Sequence, residues 1–481
     1  MKANKILLVY FDHKGVNYTP LDLGYAVAYL REYAPQSTVK ILPVVVGREK
    51  KISDFTKDAY VIAGHESDTV IFFLDNIIWS GMFYEGVTLR IIAKLRKLQP
   101  EIKVGLQSYK IAEKRSTELL EKNPKLDFIL RGEAEVPLLG YCTQKDLAKI
   151  SGISYRKSKR IVVNKDAHLI TNLSKIPSPY LEGLFDDFIK SKLASKKNPF
   201  FYLTTARGCP YRCHYCFRSV KFAEVRNFPI DRVLAEMKYL SEKGVKKISV
   251  LDDTFMASPK HLDDFLKAYK KVFPNKKKAP TLSVMTRPEL LDEKIIAKFG
   301  AINVNHIHIG LQSINPDVQY LASRKNNFDF KIFEMILHES KKHKIVIKLD
   351  LIFGLPGDSL EWFGKTLDFA TSLSPYYLQI KQLYLNPNTL LDLKQSEYKI
   401  KIGQKLPRNA PLIKSSKNWQ PRDIKKACAM AMQAREKFKK IKFKIVSEYG
   451  YCFDKGFSNQ KIACSKSLWR NPSFCPRMAT K

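Results

Sequence analysis

Short apolar runs alternate with longer amphipathic stretches along the first third of the chain. The apolar runs cover residues 5–10, 39–46, 69–74, 103–107 and 127–130, and each has the length of a strand. Helix-like stretches lie between them, most clearly at residues 21–33 and 87–98. Strands that alternate with helices form parallel βαβ units, so this pattern predicts a doubly wound, flavodoxin-like α/β sheet of about five parallel strands.

A second alternating series begins near residue 199. Its strand-like runs are residues 201–205, 247–252, 281–286, 306–311, 345–353 and 377–384. Six βα units in series predict a partial (β/α)6 barrel of the TIM type, with its chemistry at the carboxyl ends of the strands. We therefore expect an N-terminal domain at residues 1–147, a linker with a small hairpin at 148–198, the barrel at 199–386 and a C-terminal region at 387–481.

Composition and charge add two constraints. The 481 residues are 45% hydrophobic, enough for two or three domains with real cores, and they contain no apolar run of about twenty residues, so no membrane span is expected. Lysine and arginine number 83 against 47 acidic residues, a formal net charge of +36. Nucleic acid, an acidic peptide and a phosphorylated substrate are all compatible with such a surface. Because the lysines are scattered, a generally basic, solvated surface explains the charge equally well.

Candidate chemistry is concentrated at residues 204–217, where three of the eight cysteines lie. Cys209, Cys213 and Cys216 are spaced Cys-x3-Cys-x2-Cys, and three thiolates this close can hold three irons of a [4Fe-4S] cluster. The fourth iron is then open to a small molecule, which makes the cluster a catalytic site. Structural zinc is the alternative, but it normally has four protein ligands, and His214 is the nearby candidate for the fourth. The odd number of cysteines within this stretch and the lack of a secretory signal disfavour a disulfide. The reducing cytoplasm, where we expect the protein, suits an exposed cluster.

The stretch Gly-Cys-Pro-Tyr-Arg-Cys-His-Tyr-Cys, residues 208–216, resembles the cluster loop of radical S-adenosylmethionine (SAM) enzymes. The resemblance implies that the open iron chelates the amino and carboxylate groups of SAM. Reduction of the sulfonium then releases methionine and a 5'-deoxyadenosyl radical, which abstracts a hydrogen atom from the substrate. The resemblance further implies that the backbone of Tyr215 approaches adenine, and that a reductant such as flavodoxin or ferredoxin supplies the electron.

Three pieces of the N-terminal region resemble the cobalamin-binding domain that precedes the barrel in one large class of these enzymes. They are residues 19–25, 75–80 and 127–135, and the resemblance places Trp79 among the cofactor-binding residues. Two departures concern the cofactor itself. Residues 11–15 lack the Asp-x-His-x-x-Gly arrangement that supplies an axial histidine to cobalt, and Gly-Leu-Gln-Ser at 105–108 replaces a Gly-Gly-Pro-type loop beside the corrin. The domain therefore either binds cobalamin without a histidine ligand or serves as a scaffold or a docking surface.

Further resemblances lie at the carboxyl ends of the predicted barrel strands. Asp252 and Asp253 follow the second strand, where one carboxylate can accept hydrogen bonds from the ammonium of SAM; a helix N-cap is the alternative for Asp253. Arg287 after the third strand and Gln312 at the end of the fourth resemble ligand-facing positions of the family. Arg324 resembles the arginine that approaches the carboxylate of SAM, with a surface ion pair as the alternative. The fifth strand leads into Gly-Leu-Pro-Gly, the family's Gly-x-Pro-Gly turn.

The remaining cysteines bear on the reaction that follows. Cys142 and Cys428 fit the usual role of unperturbed thiols, that of small buried hydrophobes. Cys452, Cys464 and Cys475 lie in an irregular C-terminal tail. They could ligate a second cluster, or one of them, with Cys452 and Cys464 as candidates, could donate a hydrogen atom to a substrate radical.

The leading hypothesis from these features is a cobalamin-dependent radical SAM methyltransferase that acts on an unreactive carbon. The alternative keeps the cluster but abstracts an α-hydrogen from a ribosomally made peptide and returns one from a cysteine, which epimerises the residue. In that case the N-terminal domain is a scaffold. A nucleic-acid-binding iron–sulfur protein would need the cluster and the charge but gives no reason for the motifs at the strand ends. We expect the substrate to be a ribosomally made peptide or another anionic molecule.

Overall fold

Two large, mainly parallel sheets organise the described part of the chain. The computed structural model describes residues 5–13, 19–46, 55–75, 81–194, 199–216, 218, 224–325, 328–403, 412–437, 442–447 and 450–452. The predicted fold class, a doubly wound α/β domain followed by a partial parallel barrel, is confirmed.

The first sheet contains seven strands in the order β2-β1-β3-β4-β5-β6-β7. Their bounds are β1 Lys5–His13, β2 Thr38–Val46, β3 Thr69–Phe73, β4 Lys103–Ser108, β5 Phe128–Arg131, β6 Ile153–Lys157 and β7 Arg160–Val163. Strands β1 to β5 are parallel and have the flavodoxin-like order 2-1-3-4-5. The predicted hairpin is β6–β7, and it extends this sheet antiparallel to β5 instead of standing apart as a linker.

Apolar side chains cover both faces of the first sheet, which explains why its strands are continuous apolar runs. On β1, Leu7 and Val9 enter the core on one face, while Ile6 and Leu8 enter the core on the other.

The second sheet has the order β19-β18-β15-β14-β13-β12-β11-β8. Its six parallel barrel strands are β8 Phe200–Leu203, β11 Lys247–Val250, β12 Thr281–Thr286, β13 Val304–Gln312, β14 Val346–Phe353 and β15 Tyr377–Gln382. Strand β18 Lys442–Ser447 adds a further parallel strand and β19 Gly450–Cys452 pairs antiparallel with it. Two short antiparallel pairs lie outside this sheet, β9 Ala206–Arg207 with β10 Arg226–Asn227 and β16 Lys401–Ile402 with β17 Ile413–Ser415.

The α-helices connect these strands and cover the sheets. They are Leu21–Tyr33, Phe55–Ala63, Gly81–Leu98, Glu113–Lys122, Glu135–Thr143, Asp186–Ala194, Ile230–Glu242, Pro259–Val272, Glu293–Ala301, Ile332–Lys342, Leu360–Ser372, Leu390–Leu393 and Pro421–Lys437. Serine caps mark two of the barrel helices: Ser258 accepts from the backbone N–H of His261 and Ser359 from that of Trp362.

Side chains alternate along each barrel strand between the helix-covered core and the inside of the barrel. On β13, Ile307 and Ile309 belong to the core, and His308 between them is half-buried on the other face. The same alternation on β12 leaves Met285 47% exposed. The barrel therefore has an accessible lumen.

No helix within the described residues is both long enough and apolar enough to cross a membrane.

Candidate active site

The cluster loop, residues 208–216, follows β9 at the carboxyl end of the first barrel strand. Gly208 begins it with a φ of 96°, a left-handed conformation that favours glycine. Two backbone hydrogen bonds shape the loop: the N–H of Cys216 donates to the carbonyl of Cys213, and the N–H of His214 donates to that of Leu321. The three predicted cluster ligands thus project from one short, tightly turned segment.

All three thiols of the loop are free cysteines. The Sγ of Cys209 lies 3.4 Å from the Oγ1 of Thr254, and the Sγ of Cys213 lies 3.2 Å from the carbonyl of Ala322. Burial raises the pKa of the Cys209 thiol, and it raises the pKa of Cys216 to about 12. These thiols therefore stay protonated until a metal displaces the proton.

The donor set fits a [4Fe-4S] cluster. Among the described residues, no three His, Cys, Asp or Glu side chains converge on one point, as the ligands of a single metal ion do. The cysteines of a cluster bind separate irons and do not need to meet at one point. Three soft thiols on one loop supply the expected ligands.

His214, the candidate fourth ligand of a zinc site, is engaged elsewhere. Its Nδ1 lies 3.1 Å from the hydroxyl of Tyr398, and its ring packs edge-on against Tyr320. Burial lowers the pKa of His214. This imidazole anchors the back of the loop to the C-terminal region.

The segment after the sixth barrel strand also supports the loop, which the sequence did not suggest. The Nδ2 of Asn386 donates to the carbonyl of Tyr215 at 2.9 Å, and the N–H of Leu391 donates to the carbonyl of His214 at 3.1 Å. Tyr215 packs against a separate apolar cluster that includes Leu385 and Leu391. The loss of periodicity beyond residue 386 predicts a boundary there, yet the backbone and side chains of the segment that follows support the cluster loop.

Asp252 and Asp253 have different surroundings. Asp252 is 2% exposed, and its Oδ1 accepts from the N–H groups of Thr205 at 2.7 Å and Ala206 at 3.1 Å. Its Oδ2 accepts from the hydroxyl of Thr205. Asp253 instead forms an ion pair with Arg218 at 3.1 Å. The N-cap alternative for Asp253 is wrong, since Ser258 caps the helix that follows. Asp252 thus fixes the chain that enters the cluster loop, and Asp253 lies on the open side.

Arg287 and Arg324 share the carboxylate of Glu289. The guanidinium of Arg287 donates to Glu289 Oε1 at 2.7 Å, and that of Arg324 donates to the same oxygen at 2.8 Å. Arg287 also reaches the Sγ of Cys213 at 3.3 Å and lies 3.9 Å above the ring of Tyr211. Arg324 donates to the carbonyls of Gly310 and Leu311 at the end of β13. The ion pair that we gave as the alternative for Arg324 is present, but it is buried beside the loop.

Gln312 has the features of a ligand-facing residue. Its φ of 68° lies in the left-handed region, which is rare for residues other than glycine. Its Oε1 is buried and has no hydrogen-bond partner among the described residues. A Cβ on Gly310 would lie 2.1 Å from the Nε2 of Gln312, so the glycine makes room for this side chain. A buried acceptor without a partner is costly, and a ligand donor would relieve it.

The predicted Gly-x-Pro-Gly turn follows β14. Gly354 and Gly357 have φ values of 88° and 90°. The Nε1 of the fully buried Trp419 donates to the carbonyl of Leu355 at 3.0 Å, and the hydroxyl of Ser416 donates to that of Gly354. The C-terminal region therefore supports this turn as well.

The two sheets meet beside the cluster loop through buried ion pairs. Glu133 and Glu135 follow β5, and the guanidinium of Arg207 on β9 lies 3.1 Å from the first and 2.6 Å from the second. Arg226 on β10 also pairs with Glu133, and its side chain is 1% exposed. The carboxyl end of the first sheet thus faces the carboxyl end of the barrel.

A polar cavity lies at this junction. Its lining includes Asp22, Gln107, Tyr109, Arg207, Arg218 and Asp253. The guanidinium of Arg218 stands 5.0 Å from the ring centroid of Tyr109, so it spans both domains. Burial raises the pKa of Asp22 to about 7 although Arg207 and Arg218 oppose the shift. A Cβ on Gly132 would meet no atom within 4 Å, which shows open space on that wall.

The donor set of this cavity fits cobalamin. Amide groups surround the corrin ring, and amides pair with donors such as arginine and with acceptors such as carboxylates. Residues 105–108, which stand in place of the Gly-Gly-Pro-type loop, lie inside β4. Gly105 is small because a Cβ there would come within 2.3 Å of the Phe128 ring, and Tyr109 and Lys110 follow the strand in its place. Near the end of β1, Asp12 pairs with Lys192 at 3.0 Å.

Some predicted site residues fall outside this description. Trp79, Cys464 and Cys475 lie outside the described residues, and Cys452 is described only as backbone in β19. Cys142 and Cys428 are half-buried; both pack against apolar clusters, and burial raises the pKa of Cys142 to about 12.

Comparison with known proteins agrees with this geometry. The model of the Radical SAM superfamily matches residues 203–370. An uncharacterized methyltransferase of Pyrococcus horikoshii, PH0819, is 25% identical over 417 residues, which are 81% of this chain and 83% of that protein. The cobalamin-dependent radical SAM methyltransferase TokK of Streptomyces tokunonensis is 28% identical over 149 residues, 30% of this chain and 22% of that protein.

Among solved structures, the radical SAM methyltransferase TsrM of Kitasatospora setae, with cobalamin and a [4Fe-4S] cluster bound, has the same fold. The TM-score is 0.66 at 17% identity, over 82% of this chain and 78% of that one. Residues 203–370 therefore match the Radical SAM superfamily, and the chain has the fold of TsrM, in which a flavodoxin-like α/β domain precedes the barrel.

Proposed function

We propose that this enzyme is a cobalamin-dependent methyltransferase that acts on an unactivated carbon of its substrate. When bound, the cluster and SAM supply the 5'-deoxyadenosyl radical, and cobalamin supplies the methyl group. The relatives named as methyltransferases support the reaction class.

One observation carries this proposal: the junction cavity is lined by an ion pair that lies directly beside the cluster loop. Arg218 comes two residues after Cys216 and contacts Asp253 and the ring of Tyr109. Both Arg218 and Asp253 line the cavity. A methyl donor held in this cavity would adjoin the site where the radical forms, which direct transfer to a substrate carbon requires.

The residues of the chain have separable roles in this proposal. Cys209, Cys213 and Cys216 hold the cluster, and Asn386 keeps the backbone of Tyr215 in place to face adenine. Gln312 offers its unpartnered oxygen to a donor of SAM. Arg287 and Arg324, organised by Glu289, keep positive charge beside the SAM carboxylate. Asp253 is the carboxylate placed to meet the SAM ammonium, and Asp252 fixes the loop.

The test is reconstitution with iron, sulfide and hydroxocobalamin, followed by gel filtration and reduction in the presence of SAM. We expect a corrin absorption band that co-elutes with the protein, and 5'-deoxyadenosine on reduction. The variant with all three cluster cysteines changed to alanine should retain the corrin band and form no deoxyadenosine above background. A wild-type protein without a co-eluting corrin band, or without deoxyadenosine on reduction, would contradict the proposal.

The same reconstituted protein distinguishes the proposed methyl transfer from the peptide-modifying alternative. It predicts deoxyadenosine without a corrin band, and solvent deuterium in a peptide product. Cys452→Ala or Cys464→Ala would then abolish deuterium incorporation while deoxyadenosine formation continues.

A further inference from the structure

Three adjacent barrel strands carry a connected polar triad. His308 on β13, Asp350 on β14 and Lys381 on β15 occupy the face opposite the core residues Ile309, Leu349 and Ile380. The Nε2 of His308 lies 2.7 Å from one oxygen of Asp350, and the Nζ of Lys381 lies 2.8 Å from the other. The triad therefore forms part of the lumen wall.

This wall is open to a ligand. The side chains of His308 and Lys381 are each 26% exposed, although they lie on central strands of a helix-covered barrel. Met285, on the neighbouring strand and in register with His308, is 47% exposed. In a barrel filled by its own side chains these positions would be closed. The lumen thus has an apolar flank and a charged flank.

Asp350 serves as a fixed counter-ion within the triad. Burial alone would raise its pKa, but His308 and Lys381 bring it well below the usual range, so the carboxylate is charged. Asp350 is the one acceptor that the described residues offer to the ammonium of Lys381, which carries three N–H donors. Lys381 is therefore held in position with donors remaining for a ligand.

Positive charge exceeds negative charge on this wall. The inward positions of β13 to β15 carry two ammonium groups, Lys348 and Lys381, against the single carboxylate of Asp350. Deeper in the barrel, burial and then the charges of Lys348 and Lys247 lower the pKa of His306 to about 4. These inward positions thus carry more basic than acidic groups, which favours a substrate with negative charge.

The triad also has the right depth for a substrate. His308 lies four residues before Gln312, the end of β13, so it stands roughly 13 Å below the carboxyl end of this strand at about 3.3 Å per residue. Lys381 lies one residue before the end of β15, and Cys216 contributes to its electrostatic surroundings. The wall therefore descends from the cluster loop into the lumen, past the strand ends where SAM is expected.

We propose that Lys381, positioned by Asp350 and flanked by His308, binds an anionic group of the substrate, a carboxylate or a phosphate, inside the barrel. This assignment rests on the proposed function, because it takes the lumen as the substrate site. Met285 would contact an apolar part of the same molecule.

The test measures anion binding to the reconstituted enzyme with SAM present, by isothermal titration with glutarate and with inorganic phosphate as probes. We expect one probe to bind with 1:1 stoichiometry, at least tenfold more weakly to Lys381→Gln, and near wild-type strength to Lys381→Arg. The identity of the tighter probe distinguishes a carboxylate from a phosphate. Lys365→Gln, on the exposed pair with Glu361, is the matched control and should bind as the wild type does.

Two results would overturn the assignment. Equal weakening in Lys365→Gln and Lys381→Gln would mean that the probes bind the basic surface. A rise in the Kd for SAM, or a loss of deoxyadenosine, in Lys381→Gln would mean that the lysine serves SAM itself. Failure of the wild type to form deoxyadenosine contradicts the proposed function instead, and the titration still reports on the anion site.

Discussion

The buried carboxylate of Asp252 holds the backbone that leads into the cluster loop and does not face the open site. It receives two backbone N–H groups and a hydroxyl from residues that precede Cys209. The sequence placed two acidic residues after the second barrel strand but could not assign them, because both follow the same strand and differ only in their neighbours. For Gln312 the sequence did indicate a role, since its motif resembles a ligand-facing position. The left-handed φ and the buried oxygen without a partner among the described residues give a physical reason for that role.

A pH-dependence follows from Asp252. Burial raises its pKa to about 7, above the roughly 3.9 of an unfolded chain. Its contribution to stability is therefore largest at low pH and is lost as the pH rises through about 7. Asp252→Asn keeps an acceptor for both N–H groups and removes the titration. We expect the Tm difference, wild type minus variant, to decrease between pH 6 and 8.5 in calorimetry; a difference that stays constant or grows would contradict this.

At the scale of elements, the strands were predictable because parallel strands that are buried on both faces consist of continuous apolar runs. It failed for the segment after β15, where Asn386, Tyr398 and Trp419 bond to the cluster loop and the glycine turn. These residues belong to short, irregular stretches whose contacts are distant in sequence. Periodicity carries no signal for such contacts, which depend on the finished barrel.

Removal of one of these contacts should weaken the site. Asn386→Ala deletes the donor to the carbonyl of Tyr215, a bond worth about 1 kcal/mol. We expect a rise of about fivefold in the Kd for SAM, measured by equilibrium dialysis, with iron content unchanged. Asn418→Ala is the control, since its amide donates to Gly357 on the exposed side of the turn. A variant Asn386→Ala that binds SAM as tightly as the control would show that the bond does not position the loop.

At the scale of the whole molecule, the two sheets are joined by largely buried ion pairs and by apolar contacts of the first helix, whose Leu21 and Tyr25 belong to the barrel core. The order of the domains and the sheet types were predictable from the alternation of runs. The junction was not, because Glu133, Arg207 and Arg226 are ordinary charged residues in sequence and become partners only when the sheets face each other. The sequence predicted β6–β7 as a hairpin. It did not predict the position of the hairpin at the edge of the first sheet, because that position depends on pairing with β5.

The junction should be strongly sensitive to a single change. Glu133→Gln leaves the buried guanidinium of Arg226 beside a neutral amide, while Arg207 keeps its pair with Glu135, and we expect the change to cost about 3–5 kcal/mol of unfolding free energy. Glu242→Gln breaks an exposed pair with Lys238 and should cost at most about 1 kcal/mol. Urea denaturation measures both. A loss in Glu133→Gln no greater than in Glu242→Gln would mean that the junction does not stabilise the fold.

Arg207 stands two residues before Cys209, with only Gly208 between the junction and the first cluster ligand. An insertion or deletion at this point would change the separation between Arg207 and Cys209, so the ion pairs and the cluster ligand could not both keep their positions. The N-terminal domain is consequently not an interchangeable module: a chimera that takes it from another enzyme must also carry partners for Arg207 and Arg226. Recombination between relatives should succeed when the crossover falls after β10, and fail when it separates Glu133 and Glu135 from their arginines.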